Sequence, residues 1–314
     1  MASAKRAVAS FDRGSCGALV IIGDRGSGKT SLVQRITTEL LGRRTIHRVL
    51  PPREGATERE AFAEALGKAT RAEGTPDELV SRLPDGTVIV VDDLELWWER
   101  SPDGLGALEL VAELVKRFGD RILFVLALSK QAFGFINRYQ PIGDDALAVL
   151  ECSPLPAEEL KAIIMLRHGS TGLKFALEGK EERELSDLKL ARLFSRHFDY
   201  SSGHVGAALR SWITHVRKVS SSSLDVQTPN GARWELLDEL RPSLKALLVQ
   251  LVLHKSLSRE RLVHVTGERE AALEHEVGTL IRMGLVTESQ HALSINPFVH
   301  HAVIGRLSKR GLLS

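Results

Sequence analysis

The chain has 314 residues, of which 43% are hydrophobic and 26% are charged, values typical of an ordinary globular protein with two or three domains. Its formal net charge of +2 gives no strong electrostatic indication of nucleic-acid binding. The longest apolar runs are too short to cross a bilayer and the first 13 residues lack the apolar core of a signal peptide, so we expect a cytoplasmic protein without membrane insertion.

Short apolar strands alternate with amphipathic helical stretches from residue 18 to about residue 151. Strands are predicted at 18–22, 45–50, 87–91, 122–128 and 146–151, and helices at 31–41, 57–71, 105–118 and after Lys130. Near-continuous runs of Val, Ile and Leu are typical of parallel strands buried on both faces. With helical crossovers, five such strands predict a three-layer α/β domain over residues 1–153. Only 17 residues precede the first strand, so we expect either a minimal fold or a fragment of a longer chain.

The rest of the chain is predicted to be nearly all helical. Helices at 157–167, 186–198 and 204–217 give an all-helical lid over residues 154–219, and a run of four serines at 220–223 predicts a linker over residues 220–233. A third unit, at 234–314, has helices at 242–253, 259–265 and 269–283, followed by two strands at 284–287 and 292–295. This order of elements predicts a winged-helix domain.

A phosphate-binding loop lies between the first predicted strand and the helix that follows it. Its glycines allow backbone torsions and close approaches that a Cβ would block, and the N–H groups at the helix start face the phosphates. Lys29 would reach the β- and γ-phosphates, and the Thr30 hydroxyl would coordinate Mg²⁺. We therefore predict that a nucleoside triphosphate is bound by Gly23, Asp24, Arg25, Gly26, Ser27, Gly28, Lys29, Thr30 and Ser31.

Two carboxylates follow the predicted strand at 87–91. Asp92 is in the position that holds Mg²⁺ through water. The next residue is often Glu, which orients the attacking water, but here it is Asp93, whose side chain is one methylene shorter and predicts slow hydrolysis. Glu95 is a second candidate for this role, although we expect it to face solvent or a neighbouring element. Because two acids at the end of a strand are also common without any catalytic role, the prediction rests on the phosphate loop upstream.

Trp97 and Trp98 are adjacent, which is unusual in a chain with four tryptophans. One of them would pack in the core while the other faces a partner protein, since Trp is enriched at interfaces. Alternatively, both are partly buried under the helix at 105–118. Base stacking is a weaker interpretation than a protein interface.

Residues 18–218 resemble the AAA+ ATPase module, through the phosphate loop, the acidic strand and the strand ending at Leu128-Ser129-Lys130. The region after Pro154 is similar to an AAA+ lid. With the winged helix behind it, the chain resembles the Orc1/Cdc6-like and STAND branches, and the stretch from Ser202 to Arg210 is similar to lids of transposition-type regulators. The resemblance implies ATP and Mg²⁺ as cofactors, ATP bound between the α/β domain and the lid, and ATP-dependent homo-oligomers.

The resemblance also implies roles for single residues. Ser129 would sense the γ-phosphate, although a serine at a strand end equally caps the next helix. Arg138 would be an arginine finger acting on the neighbouring subunit, or else an ordinary solvated arginine. Arg210 would be the lid arginine that contacts phosphate, with Arg167 as the alternative.

The helix at 269–283 argues against DNA reading. Its first half is dominated by Glu270, Glu274 and Glu276, which would face the polyanionic DNA backbone. Nucleic-acid binding therefore remains possible but is not favoured, and we interpret the winged helix as a protein-contact or intramolecular module. The scattered histidines and the two cysteines, Cys16 and Cys152, lack metal-binding spacings, so we expect reduced thiols and no zinc site.

The leading hypothesis is an ATP-binding AAA+ switch that hydrolyses ATP slowly, assembles under nucleotide control and signals to a partner protein through its lid and winged helix. A second hypothesis is a DNA-associated loader or transposition-type regulator that forms oligomers on duplex DNA. A third is a STAND-like signalling scaffold whose bound nucleotide is structural.

Overall fold

The computed structural model describes residues 1–230 and 234–313. The N-terminal part is the predicted α/β domain, whose five strands form a single parallel sheet in the order β2-β3-β4-β1-β5. Its elements are α1 (Ala2–Asp12), β1 (Ala18–Gly23), α2 (Lys29–Glu39), β2 (Ile46–Val49), α3 (Arg59–Thr70), α4 (Pro76–Ser81), β3 (Val88–Val91), α5 (Gly106–Phe118), β4 (Leu123–Leu128), α6 (Lys130–Tyr139) and β5 (Ala146–Cys152).

The prediction of a three-layer domain is confirmed by the two apolar cores that flank this sheet. Alternate residues of β1 point to opposite sides, so that Val20 packs with α3 and α5 while Leu19 packs with α1 and α2. All six residues of β1 are buried, because helices cover both faces of the sheet. Helix α1, for which no element was predicted, buries Ala4, Ala7 and Phe11 in the second core.

The lid contains the three predicted helices and, in addition, a small sheet. Its elements are α7 (Ala157–Gly169), β6 (Lys174–Leu177), β7 (Lys180–Glu181), α8 (Asp187–Ser201), α9 (Val205–Thr214), β8 (Val216–Val219) and β9 (Ser223–Val226). The four strands pair in the order β7-β6-β9-β8, so the expectation of an all-helical lid is corrected. The physical reason is period-two burial, since Phe175, Leu177, Leu224 and Val226 enter the same apolar cluster as Trp212.

The serine run at 220–223 is a tight turn between two paired strands and not the start of a linker. Ser220 donates its backbone N–H to the carbonyl of Ser223 at 2.8 Å, and β9 pairs with β6 and with β8. The remainder of the predicted linker includes residues 231–233, which lie outside the described residues.

Residues 234–313, called here the winged-helix unit, have the predicted order of three helices followed by a hairpin. The elements are α10 (Pro242–Leu253), β10 (Leu257–Ser258), α11 (Arg259–Thr266), α12 (Glu270–Arg282), β11 (Val286–Ser289), β12 (Ala292–Ile295) and α13 (His300–Lys309). The strands pair as β10-β12-β11. Helix α13, which was not predicted, packs against α10 and places Val303 and Leu307 in the core of the unit.

Two acidic residues of α12, Glu274 and Glu276, form ion pairs with arginines of the same winged-helix unit. Arg259 pairs with Glu274 and with Glu288, and Arg241 pairs with Glu276. These carboxylates therefore tie the helices and the hairpin of the unit together.

Within residues 1–230 and 234–313, no helix has both the length and the apolarity needed to span a bilayer.

Candidate nucleotide site

The phosphate-binding loop follows a fully buried strand and opens α2. Gly28 is the N-cap residue of α2 and has a φ of 101°, in the left-handed region that favours glycine. No capping side chain bonds to the first turn of α2, so its N–H groups are available to an anion. A Cβ built on Gly28 would meet no atom within 4 Å, which leaves open space on that side of the loop.

Lys29 is buried and its side chain folds back over the loop. Its Nζ atom donates hydrogen bonds to the carbonyl of Gly23 at 2.7 Å and to that of Asp24 at 3.3 Å. The ammonium group therefore lies above the loop, where the phosphates of a nucleotide are predicted to bind. Thr30 and Ser31 are exposed in the first turn of α2.

The lid contacts this loop through the start of α9. The Gly206 N–H donates to the Gly26 carbonyl at 2.9 Å, and a Cβ built on Gly26 would lie 3.5 Å from Arg210 Nη2. Arg210, one of the two predicted lid arginines, therefore lies beside the loop. Burial lowers its pKa and so does the nearby charge of Arg25, which makes this a site that an anion would stabilise. Arg167 is exposed on α7.

Asp24 joins the loop to two other elements. Its carboxylate accepts a hydrogen bond from Gln131 Nε2 on α6 at 2.7 Å, and its other oxygen lies 3.6 Å from His204 Nδ1 at the start of α9. The α/β domain and the lid therefore meet at the loop, which is the place that the AAA+ resemblance implies for ATP.

The two acids after β3 differ in their surroundings. Burial raises the pKa of Asp92, and the neighbouring charge of Asp93 raises it further. Asp93 has a φ of 53°, in the left-handed region that is uncommon for a residue other than glycine. Its carboxylate forms an ion pair with Lys255 of the winged-helix unit.

Of the two surroundings expected for Glu95, solvent or a neighbouring element, the structure excludes solvent. Leu94–Leu96 is a short 3₁₀ turn that enters the core, with Leu94 completely buried and Glu95 only 2% exposed. The apolar neighbours on both sides of Glu95 draw this turn inward, and the carboxylate is buried with them.

Ser129 and Arg138 lie at the two ends of α6. Ser129 is the N-cap residue of α6, and its hydroxyl accepts a hydrogen bond from the Ala132 N–H at 3.1 Å. In this structure Ser129 therefore caps the helix, as the second of its two predicted roles requires. Arg138 is exposed, with its guanidinium 5.4 Å from the centre of the Phe135 ring. The guanidinium group of Arg138 therefore lies at the protein surface.

The winged-helix unit packs on the nucleotide site, which agrees with the intramolecular alternative, although the residues in contact were not predicted. Besides the Lys255–Asp93 pair, Arg25 Nη1 donates to the Ile295 carbonyl at 3.3 Å. His300 is buried, and its pKa is lowered to about 3, chiefly by burial and also by the charges of Arg25 and Lys29. The loop and the acidic strand are thus both in contact with the C-terminal unit.

The two adjacent tryptophans are both fully buried, in different surroundings. Trp97 packs edge-on against Phe62 in the core, with the ring centres 5.1 Å apart. Trp98 packs against His254 of the winged-helix unit at 4.7 Å. Trp98 therefore packs against the winged-helix unit of its own chain, where the sequence analysis expected a partner protein.

Next to Trp98, Glu99 accepts hydrogen bonds from two residues of α11. Arg261 Nε lies 2.8 Å from one carboxylate oxygen and His264 Nδ1 lies 2.5 Å from the other. Glu99 is 4% exposed, so its pair with Arg261 is largely desolvated, whereas the His264 side chain is 64% exposed. We call the contacts of Trp98 and Glu99 with His254, Arg261 and His264 the docking interface.

The residues around the loop fit a magnesium-bound nucleotide. Buried polar atoms without a hydrogen-bond partner include Ser27 Oγ in the loop and Arg210 Nε in the lid, and phosphate oxygens are suitable acceptors for both. The described part of the chain contains no group of three or more His, Cys, Asp or Glu side chains that could hold a metal by itself. Mg²⁺ does not need one, since it binds through one or two carboxylates, phosphates and water. Asp92 and Thr30 would supply its protein ligands.

A comparison with protein families matches residues 12–133 to the AAA domain. The matched region contains the phosphate loop, the acidic strand and the start of α6, so the AAA+ resemblance inferred from the sequence is confirmed there. The match covers 122 of the 314 residues, so the similarity to AAA domains concerns this part of the chain and favours nucleotide binding there. None of the curated proteins matches the chain significantly in sequence.

Several solved structures are similar to this chain along nearly its whole length. Cdc6p from Pyrobaculum aerophilum is 16% identical, with 99% of this chain and 94% of that chain covered and a TM-score of 0.46. Aeropyrum pernix Orc1 in complex with DNA is also 16% identical, with 99% and 92% covered and a TM-score of 0.46. A Walker-type ATPase of Pyrococcus abyssi is 12% identical, with 96% and 95% covered and a TM-score of 0.41. At these identities and TM-scores the three structures assign no activity to this chain.

The docking interface is expected to weaken in acid. Burial and the charge of Arg261 lower the pKa of His254 from 6.5 to about 4, so below pH 6.5 the unfolded chain binds more protons than the folded one. Stability is therefore lost as the pH falls, by about 2 kcal/mol at pH 5 for this histidine alone. Urea unfolding at pH 7 and pH 5 measures the loss, and His254→Phe, which keeps a ring against Trp98, should reduce it. His275→Phe, a change at an exposed position of α12, should not; an equal effect of the two variants would contradict the role of His254.

Proposed function

We propose that this protein is an ATP-dependent switch, in which the winged-helix unit docks on the nucleotide site in one state and is released in another. The AAA domain would bind ATP with Mg²⁺ through the loop, Lys29, Thr30 and Asp92, and would hydrolyse it slowly. Release of the winged-helix unit would allow subunits to assemble and to contact a partner protein in the cytoplasm.

The observation that carries this proposal is the ion pair between Lys255 and Asp93. Lys255 belongs to the winged-helix unit, and Asp93 is the acid predicted to orient the attacking water. While the unit is docked, this carboxylate is neutralised by Lys255 and partly covered. Slow hydrolysis is then expected from the docked state itself, in addition to the shorter side chain of Asp93.

Bound ATP would act directly on the docked state. Arg25 and Lys29 of the loop lie close to His300, and Arg25 donates to the winged-helix unit. A triphosphate would attract the same two cations and change what they contact. A ligand shifts such an equilibrium only by its different affinity for the two states, and this shared set of cations is one source of that difference.

Protein contact is favoured over nucleic-acid contact for the released unit. The carboxylates Glu274, Glu276 and Glu288 lie on the helix and the hairpin that a winged helix would present to DNA. The docking interface, once open, would expose Trp98 and His254, which are residue types suited to a protein partner. Arg138, exposed on α6, is the proposed finger for a neighbouring subunit.

The proposal is tested by hydrogen exchange and particle mass in MgATP and in MgADP. We expect MgATP to speed exchange in α10 and α11 and to raise the mass measured by light scattering, since release and assembly are linked. The variant Lys29→Ala should show neither change. Identical exchange and mass in both nucleotides would contradict the switch, and a mass increase that needs duplex DNA would favour the DNA-associated alternative.

A further inference from the structure

Glu95, the second candidate that the sequence offers for orienting the attacking water, is a buried carboxylate beside the nucleotide site. It is 2% exposed, and its Oε2 atom is buried without a hydrogen-bond partner. An ionised carboxylate is costly to bury unless it is paired or hydrogen-bonded. A buried oxygen of this kind therefore indicates a missing partner, such as a water molecule or another ligand.

The charged groups around Glu95 are those of the nucleotide site. Burial raises its pKa and so does the charge of Asp93, while Lys29 of the loop and Lys255 of the winged-helix unit oppose the increase. The charge of Glu95 also acts on Arg25 in the loop. Glu95 thus lies among the cations that are predicted to bind the phosphates, although it is two residues beyond the acid usually assigned to the water.

Asp93 is less suited to that role in this structure. Its backbone is in the left-handed region, and its carboxylate is paired with Lys255. Its side chain is also one methylene shorter than that of Glu95. Of the two acids, only Glu95 presents a buried oxygen without a partner within the described residues.

We propose that Glu95, in place of Asp93 to which the sequence assigned this role, is the general base of ATP hydrolysis in this protein and that Asp93 serves to hold Lys255 in the docked state. This assignment rests on the proposed ATPase function. The water oxygen bonds to the γ-phosphorus while a proton of the water passes to the Glu95 carboxylate. The bond from the γ-phosphorus to the β–γ bridging oxygen breaks, and its electron pair stays with ADP. The proton then leaves with the phosphate or to solvent.

The test compares Glu95→Gln with Asp93→Asn in single-turnover hydrolysis and in MgATP binding. Glu95→Gln should bind MgATP within about threefold of the wild type and hydrolyse it at least ~100-fold more slowly, the size of effect typical of a lost general base. Glu109→Gln, which changes an exposed acid of α5, should hydrolyse at the wild-type rate, and Asp93→Asn should lose less activity than Glu95→Gln. The wild-type rate should rise with pH through the raised pKa of Glu95, and this dependence should be absent in Glu95→Gln.

The nucleotide-free protein gives a readout independent of activity. Because the folded-state pKa of Glu95 is raised, the folded protein loses stability as the pH rises from 4.5 through that pKa. Glu95→Gln should therefore melt at a higher temperature than the wild type, by an amount that grows with pH.

The possible results separate the two proposals. Loss of hydrolysis in Asp93→Asn with normal hydrolysis in Glu95→Gln would overturn the role of Glu95 and leave the ATPase function intact. A wild-type chain that binds no MgATP would instead contradict the proposed function itself. A higher melting temperature with an unchanged rate would reduce Glu95 to a buried charge without a catalytic role.

Discussion

Replacing Lys29 with alanine is expected to weaken MgATP binding by about 100-fold and to abolish measurable hydrolysis. The Lys29 ammonium already lies over the loop, where it donates to two carbonyls at 2.7 and 3.3 Å. A phosphate oxygen is a better acceptor than these carbonyls, because a hydrogen bond between two charged groups is about twice as strong as a neutral one. Losing it costs about 3 kcal/mol, which corresponds to the expected change in affinity. Titration calorimetry with MgATP measures the effect directly.

Lys68→Ala is the matched control for this change. Lys68 is an exposed lysine of α3 that pairs with Glu64 one helical turn earlier, so its loss removes the same charge from the AAA domain at a distance from the loop. Its affinity for MgATP should equal that of the wild type. If Lys29→Ala also binds MgATP normally, the loop does not hold the phosphates and the central assignment fails.

The α/β domain was predictable because its signals are local. The strands are short runs of Val, Ile and Leu, and the loop between β1 and α2 has a fixed spacing of glycines before Lys29. The lid sheet was not predicted, since β6, β8 and β9 have four residues each and β9 begins at the last residue of a serine run that is typical of linkers. Strands of that length have too few alternating residues to show a clear period.

The residue pairs that join the winged-helix unit to the rest of the chain could not be predicted, because their members are far apart in sequence. Arg261 and Glu99 are 162 residues apart, and Arg25 and Ile295 are 270 apart. Neither partner has a local pattern that indicates the other. For Glu95 the sequence left solvent and a neighbouring element as alternatives, because only the packing of Leu94 and Leu96 in the folded chain buries it.

Replacing Arg261 with methionine is expected to release the winged-helix unit and to raise ATP turnover about tenfold. Arg261 Nε lies 2.8 Å from the Glu99 carboxylate, and its Nη1 donates to the Glu54 carbonyl at 2.5 Å. Removing one partner of a buried ion pair costs about 3–5 kcal/mol, because the other charge is left buried. His264 still reaches Glu99, so we expect the lower end of that range, a shift of about 100-fold in the docking equilibrium. Turnover rises less than the equilibrium shifts, since chemistry becomes limiting once the unit is open.

Arg259→Met provides a control on the same helical turn. Arg259 pairs with Glu274 and Glu288 inside the winged-helix unit, so this variant removes an identical charge from α11 and leaves the docking interface intact. Neither substitution touches the phosphate loop or the acids after β3, which means that faster turnover in Arg261→Met alone reports release of the unit. Equal turnover in the two variants would show that the pair with Glu99 does not restrain the ATPase. Faster hydrogen exchange around Trp98 in Arg261→Met should accompany the gain in rate, because the same opening exposes that segment and frees Asp93 from Lys255.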